Sequence, residues 1–143
     1  MLLISHRGNT SGRNPDLENT KGYIQSALDK GYIVECDMIN GAYWGHDIRN
    51  ETICDSFIER NKENLLIHCK DFSSIIKCET NDWHFFFHYS EEFVMSSRGW
   101  VIAHSKLGAQ PKCICMLPEI HGLSKDSLKN CAGICSDIIE FYD

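Results

Sequence analysis

Four short segments near the start of the chain carry side chains that could work together. They are Ser5-His6-Arg7-Gly8, Glu18-Asn19-Thr20, Glu35-Cys36-Asp37 and Gly45-His46-Asp47. Between them they supply two imidazoles, a carboxylate pair at i, i+2 and a guanidinium. Two acids on one face of a strand repel each other and lose hydration when buried, so they need a proton or a cation between them. A divalent ion held by hard oxygen ligands meets that need; the plain alternative is a strand end with solvated acids. A guanidinium matches phosphate oxygens with a planar fork, and Gly8 lets backbone approach a ligand closely. Imidazoles can give and take protons near neutral pH. Cleaving a phosphodiester requires those acts: activating the nucleophile, protonating the leaving alkoxide and neutralising charge on the phosphoryl oxygens.

The elements that must position these groups are legible as short apolar runs. Strands are predicted at 2–5, 32–39, 65–69, 84–89, 100–104, 113–117 and 133–136. Runs this uniformly apolar are expected in a parallel sheet covered on both faces. Between them, 20–30 carries Tyr23, Ile24, Ala27 and Leu28 at helical spacing and stops at Gly31. Shorter helices are predicted at 54–60 and 72–77, and about one turn at 126–130. Alternating strands and helices give an α/β class with right-handed crossovers. Seven strands approach the eight of a closed barrel, and 143 residues is well below the roughly 250 usual for a TIM barrel. The expectation is one domain over 1–143, a minimal or incomplete TIM-type (β/α) barrel with shortened outer helices. Poorly covered strand faces would suit a second copy, giving a possible homo-oligomer.

Composition narrows the classes. With 14 Lys+Arg against 20 Asp+Glu the net charge is −6. No basic cluster is present, so a nucleic-acid partner is not expected. No apolar run approaches the roughly 18 residues that span a bilayer, and the N-terminus does not read as a signal peptide. A cytoplasmic location and reduced cysteines follow as expectations. The eight cysteines do not form a paired CxxC zinc pattern, and most sit in apolar runs as small buried hydrophobes.

Taken in order, HRG, ENT, E-x-D and HD resemble the glycerophosphodiester phosphodiesterase family, within the phospholipase-C-like phosphodiesterases. The match is closest over 2–47. It continues through Ile67-His68-Cys69-Lys70 and ends at Gly133-Ile134-Cys135-Ser136-Asp137, which looks like the family's last strand and terminal Asp. The resemblance implies hydrolysis of a glycerophosphodiester to glycerol 3-phosphate and an alcohol. His6 and His46 would be the acid/base pair, and Glu35 and Asp37 would hold Ca²⁺ or Mg²⁺. Arg7 and Lys70 would bind phosphate, and Glu18 would orient the groups around them.

Two departures stand out. His68 occupies the position where the family has its third metal-binding Glu, and imidazole suits Mn²⁺ or Zn²⁺ better than Ca²⁺. Glu119, at another strand end, is an alternative ligand or an ordinary loop acid. The family's insertion after HD is missing, since only about seventeen residues separate Asp47 from Leu65. Two other readings therefore stand beside hydrolysis: a non-catalytic barrel that binds a phosphate or phospho-sugar, and a lyase that forms a cyclic phosphate. His84, His88, His104 and His121 could line a pocket by position, although a lone histidine is more often merely hydrogen-bonded.

Overall fold

β1 (Leu2–His6), β2 (Ile33–Ile39), β4 (Leu65–Cys69) and β9 (Gly133–Ser136) form where the sequence is a near-continuous apolar run. In the computed structural model, which describes residues 1–143, the other strands are β3 (Tyr43–Trp44), β5 (Phe85–Phe87), β6 (Phe93–Met95), β7 (Val101–Ala103) and β8 (Cys113–Met116). The helices are α1 (Lys21–Asp29), α2 (Asp55–Asn61), α3 (Phe72–Thr80) and α4 (Ile139–Tyr142). All seven predicted strands are present. β3, β6 and α4 were not predicted.

One sheet runs in the order β5-β4-β2-β1-β9-β8-β7-β6, with β3 attached to β2. The contacts β1–β2, β1–β9, β2–β4, β4–β5, β7–β8 and β8–β9 are all parallel; β6 runs antiparallel to β7. The sheet curls until its two end strands nearly meet. The gap between β5 and β6 is bridged just past β6, where Ser97 donates its backbone N–H to the Phe85 carbonyl at 2.7 Å. The protein is thus a mixed α/β structure around a nearly closed, barrel-like sheet of eight strands.

The helical layer differs from a full set of shortened outer helices. α1, α2 and α3 cover the part built from β2, β4 and β5, while α4 packs on β1 and β9. The connection between β7 and β8 holds only a 3₁₀ turn at Lys106–Gly108, and that between β8 and β9 one at Asp126–Leu128. These segments are too short, or too polar, to carry an amphipathic helix of useful length.

Strand alternation sorts the side chains into two faces. Outward residues of β2 and β4 (Val34, Cys36, Met38, Ile67, Cys69) pack with Ile24 and Ala27 of α1, Phe57 and Ile58 of α2, and Cys78 of α3. Outside β8 and β9, Cys115 and Ile134 are covered by Leu128, Ile139 and Tyr142. The interior is filled by Ile4, Leu66, Phe86, Ile102, Ile114, Met116 and Cys135. Two residues further along the same faces lie His6, His68, His88, His104 and Asp137. An apolar floor therefore supports a polar layer at the C-terminal ends of the parallel strands.

All eight cysteines are free, and seven of them are buried. No helix is long and apolar enough to cross a membrane.

Candidate active site at the strand ends

Register places the chemistry-bearing residues side by side. His6 pairs in register with Glu35 across β1 and β2, and Asp37 with His68 across β2 and β4. Glu35, Asp37 and His68 are all buried, and each offers one ligand atom within 4.8 Å of the others. His68 Nδ1 stands 3.0 Å from Asp37 Oδ1 and 3.7 Å from Glu35 Oε1. Glu35 Oε2, Asp37 Oδ1 and His68 Nε2 are buried without a hydrogen-bond partner. Buried orphan atoms of this kind are rare. Oxygen and nitrogen donors around one small gap are what a divalent cation would satisfy.

The surroundings push the two acids in opposite directions. Burial and the neighbouring Asp37 charge raise the Glu35 pKa above its ordinary value. For Asp37, burial also favours the neutral form, but the His68 imidazole 3.0 Å away and the Arg7 charge outweigh it and hold the carboxyl below the usual range. Its Oδ2 accepts from Asn19 Nδ2 at 2.9 Å and lies 3.0 Å from Arg7 Nε, and Asn19 Oδ1 in turn accepts from the Asp37 backbone N–H.

His6 is fixed by an aspartate that arrives from the other end of the chain. Its Nδ1 is 2.7 Å from Asp137 Oδ1, while Nε2 is 3.8 Å from Glu35 Oε2. Burial would lower its pKa, but the Asp137 hydrogen bond and the Glu35 charge prevail and raise it. Asn9 Nδ2 donates to both Asp137 and Glu18. Glu18 also accepts from Arg7 Nη1 at 3.4 Å and Arg13 Nε at 3.2 Å.

His46 approaches from the loop after β3. Gly45 carries a φ of +149°, and a Cβ there would collide with the Ile48 carbonyl oxygen. That tight turn presents His46 Nδ1 2.9 Å from Asp47 Oδ2. Both histidines line one cavity of about 290 Å³, with Arg7, Arg13, Asp47, Leu117, Ile120 and Asp137. A second cavity, of about 230 Å³, adjoins it and shares Arg7, Arg13, His46 and Asp47. Arg7, Asn19 and Leu117 all have positive φ without being glycine. Three of the six non-glycine residues with positive φ thus lie around this site.

The remaining predicted residues fall less centrally. Lys70 Nζ is 4.0 Å from Asp37 Oδ1, at the rim. Glu119 does not join the Glu35–Asp37–His68 group; its Oε1 accepts the Asp137 backbone N–H at 2.9 Å. It supports the His6 side. His88 and His104 stack face to face at 3.7 Å, and His68 stacks on Phe86 at 4.5 Å. Burial lowers the pKa of both His88 and His104, the latter to about 3. His84 lies away from the rim and pairs with Ser96 Oγ at 2.7 Å.

Sequence reading gave no role to Arg13, Asn9 or the His88–His104 stack. It noted Asp137 and Asn19 only as motif letters. Polar residues flanking a motif at a strand end were the available signal for Asn9 and Arg13. No family model, curated protein or solved structure matches this chain.

Proposed function

We propose that this chain is a metal-dependent phosphodiesterase acting on a glycerophosphodiester or a related diester, on a cut-down TIM-type barrel. The observation that carries the reading is the convergence of Glu35, Asp37 and His68 beside a cavity lined by both His6 and His46. Convergence of acid/base groups, ligand donors and cations at the C-terminal ends of parallel strands is the arrangement such chemistry needs.

Glu35, Asp37 and His68 would hold the cation, which supplies Lewis-acid stabilisation of charge on the phosphoryl oxygens. The imidazole in this set favours Mn²⁺ or Zn²⁺ over Ca²⁺. Asp137 takes the Nδ1 proton of His6 in a hydrogen bond and leaves Nε2 facing the site, which fixes the tautomer. Asp47 Oδ2 lies 2.9 Å from His46 Nδ1 on the solvent side and would orient that imidazole by its charge. The two imidazoles divide the work: one takes the proton of the attacking water and the other protonates the leaving alkoxide. Arg7 and Lys70 add positive charge beside the phosphate.

The test is a screen of glycerophosphodiesters with Mg²⁺, Ca²⁺, Mn²⁺ and Zn²⁺, reading glycerol 3-phosphate release. Metal-dependent release that disappears in His46→Ala supports hydrolysis. A cyclic phosphate as the product would assign the lyase chemistry instead, and no turnover of any diester would leave a binder.

A further inference from the structure

We propose that Arg13 is the residue that grips the anionic phosphate in this site; the inference rests on the phosphodiester reading for the identity of its ligand. Two guanidiniums, Arg7 and Arg13, line both cavities. Arg7 is largely consumed by the protein. Its side chain is 13% exposed, its Nε lies 3.0 Å from Asp37 Oδ2 and its Nη1 donates to Glu18. A guanidinium engaged by two carboxylates adds charge to the site but has fewer donors free to grip a ligand.

Arg13 is in the opposite condition. Only its Nε is engaged, with Glu18 Oε1 at 3.2 Å, and its side chain is 63% exposed. Both terminal nitrogens remain as donors at the wall where the two cavities adjoin. That is the fork geometry that takes two phosphate oxygens at once.

The loop holding Arg13 is fixed on both sides. Gly12 donates its N–H to the Asp137 carbonyl at 2.9 Å, and Asn14 donates its N–H to Asn9 Oδ1 at 3.0 Å. Leu17 and Glu18 donate their N–H groups back to the Asn14 carbonyl. Glu18 then clasps Arg7 with one oxygen and Arg13 with the other, which sets the spacing between the two guanidiniums. A long exposed arginine on a pinned backbone, anchored at Nε, loses less freedom on binding than a free surface arginine. The same contacts tie it to Asp137, the partner of His6, so the gripped phosphate would lie against the imidazole that works on it.

The test uses inorganic phosphate and glycerol 3-phosphate as probes, titrated calorimetrically into the metal-loaded protein, alongside diester kinetics. Arg13→Gln keeps an amide for Glu18 but carries no charge. The expected result is phosphate and glycerol 3-phosphate binding weakened about tenfold or more, with KM raised and kcat changed far less. Arg13→Lys should recover part of the affinity, and the melting temperature of both variants should stay within a few degrees of the native protein. Unchanged phosphate binding in Arg13→Gln, or no phosphate binding by the native protein, would overturn the proposal. Phosphate binding that depends on Arg13 in a protein that turns over no diester would keep it and remove hydrolysis alone.

Discussion

Asp37 Oδ1 and His68 Nδ1 stand 3.0 Å apart across neighbouring parallel strands, in direct register. An imidazole in that place would select among cations. His68→Glu is expected to move metal preference from Mn²⁺ or Zn²⁺ toward Mg²⁺ or Ca²⁺, read as the ratio of dissociation constants. Three adjacent acids without a cation should also lower the melting temperature of the metal-free variant. An unchanged ratio would show that His68 is not a ligand.

Metal should stabilise the fold, because the donors are assembled only in the folded chain. At a free ion concentration 100 times the dissociation constant, the gain is about 2.7 kcal/mol, or roughly 8 °C in melting temperature. Chelator should reverse it. Melting indifferent to both ion and chelator would mean that Glu35, Asp37 and His68 bind no cation.

The two histidines should separate by stability. His46 is partly exposed, so His46→Ala is expected to cut turnover by about 10²–10⁴-fold with little change in melting. His6 is buried against Asp137. Its replacement by Gln should cut turnover similarly and cost about 1–3 kcal/mol, because a buried carboxylate loses its partner. Full activity in either variant would remove that residue from the chemistry.

His84 should make the protein acid-sensitive. Burial, then the Arg98 charge, pushes its pKa from 6.5 to about 4. The unfolded chain therefore binds the proton more readily than the folded one between those values. The stability from neutral His84 is complete above pH 6.5 and is lost as pH falls toward 4. Melting temperature should drop across that window, and less steeply in His84→Gln. An equal slope in the two proteins would place the acid sensitivity elsewhere.

Gly45→Ala should destabilise the fold by about 1–3 kcal/mol, since both the backbone angle and the Ile48 carbonyl oppose a Cβ. Because the same turn presents His46, turnover should fall as well. Native activity in the substituted protein would show that the turn does not set that imidazole.

Much of the site was legible because it sits on runs that could only be buried strands. Leu2–Ile4, Tyr32–Val34 and Leu65–Ile67 announce their strands by composition, and alternation then puts Glu35 with Asp37, and His68 with Lys70, on one face. β6 was not legible: Phe93-Val94-Met95 is short, and two of its three residues are exposed. The His88–His104 stack depends on how far β5 and β7 approach at the rim, which no local pattern encodes. The His6–Asp137 pair joins residues 131 positions apart. Arg13 gave no signal because its meaning lies in what Glu18 does with two guanidiniums at once. The missing helices of the second half have two causes: the 104–112 connection is short, whereas 117–132 is as long as the segment that carries α3 but is interrupted by Pro118 and Gly122.

β1 and β9 are neighbours in the sheet, so β1 waits for β9, more than 120 residues later, before it has both its partners. On the ribosome, the Glu35, Asp37 and His68 donors would all have been translated while His6 still lacked the aspartate that orients it. Pairings this remote are slow to form, and completion of the site would then be timed by the arrival of β9.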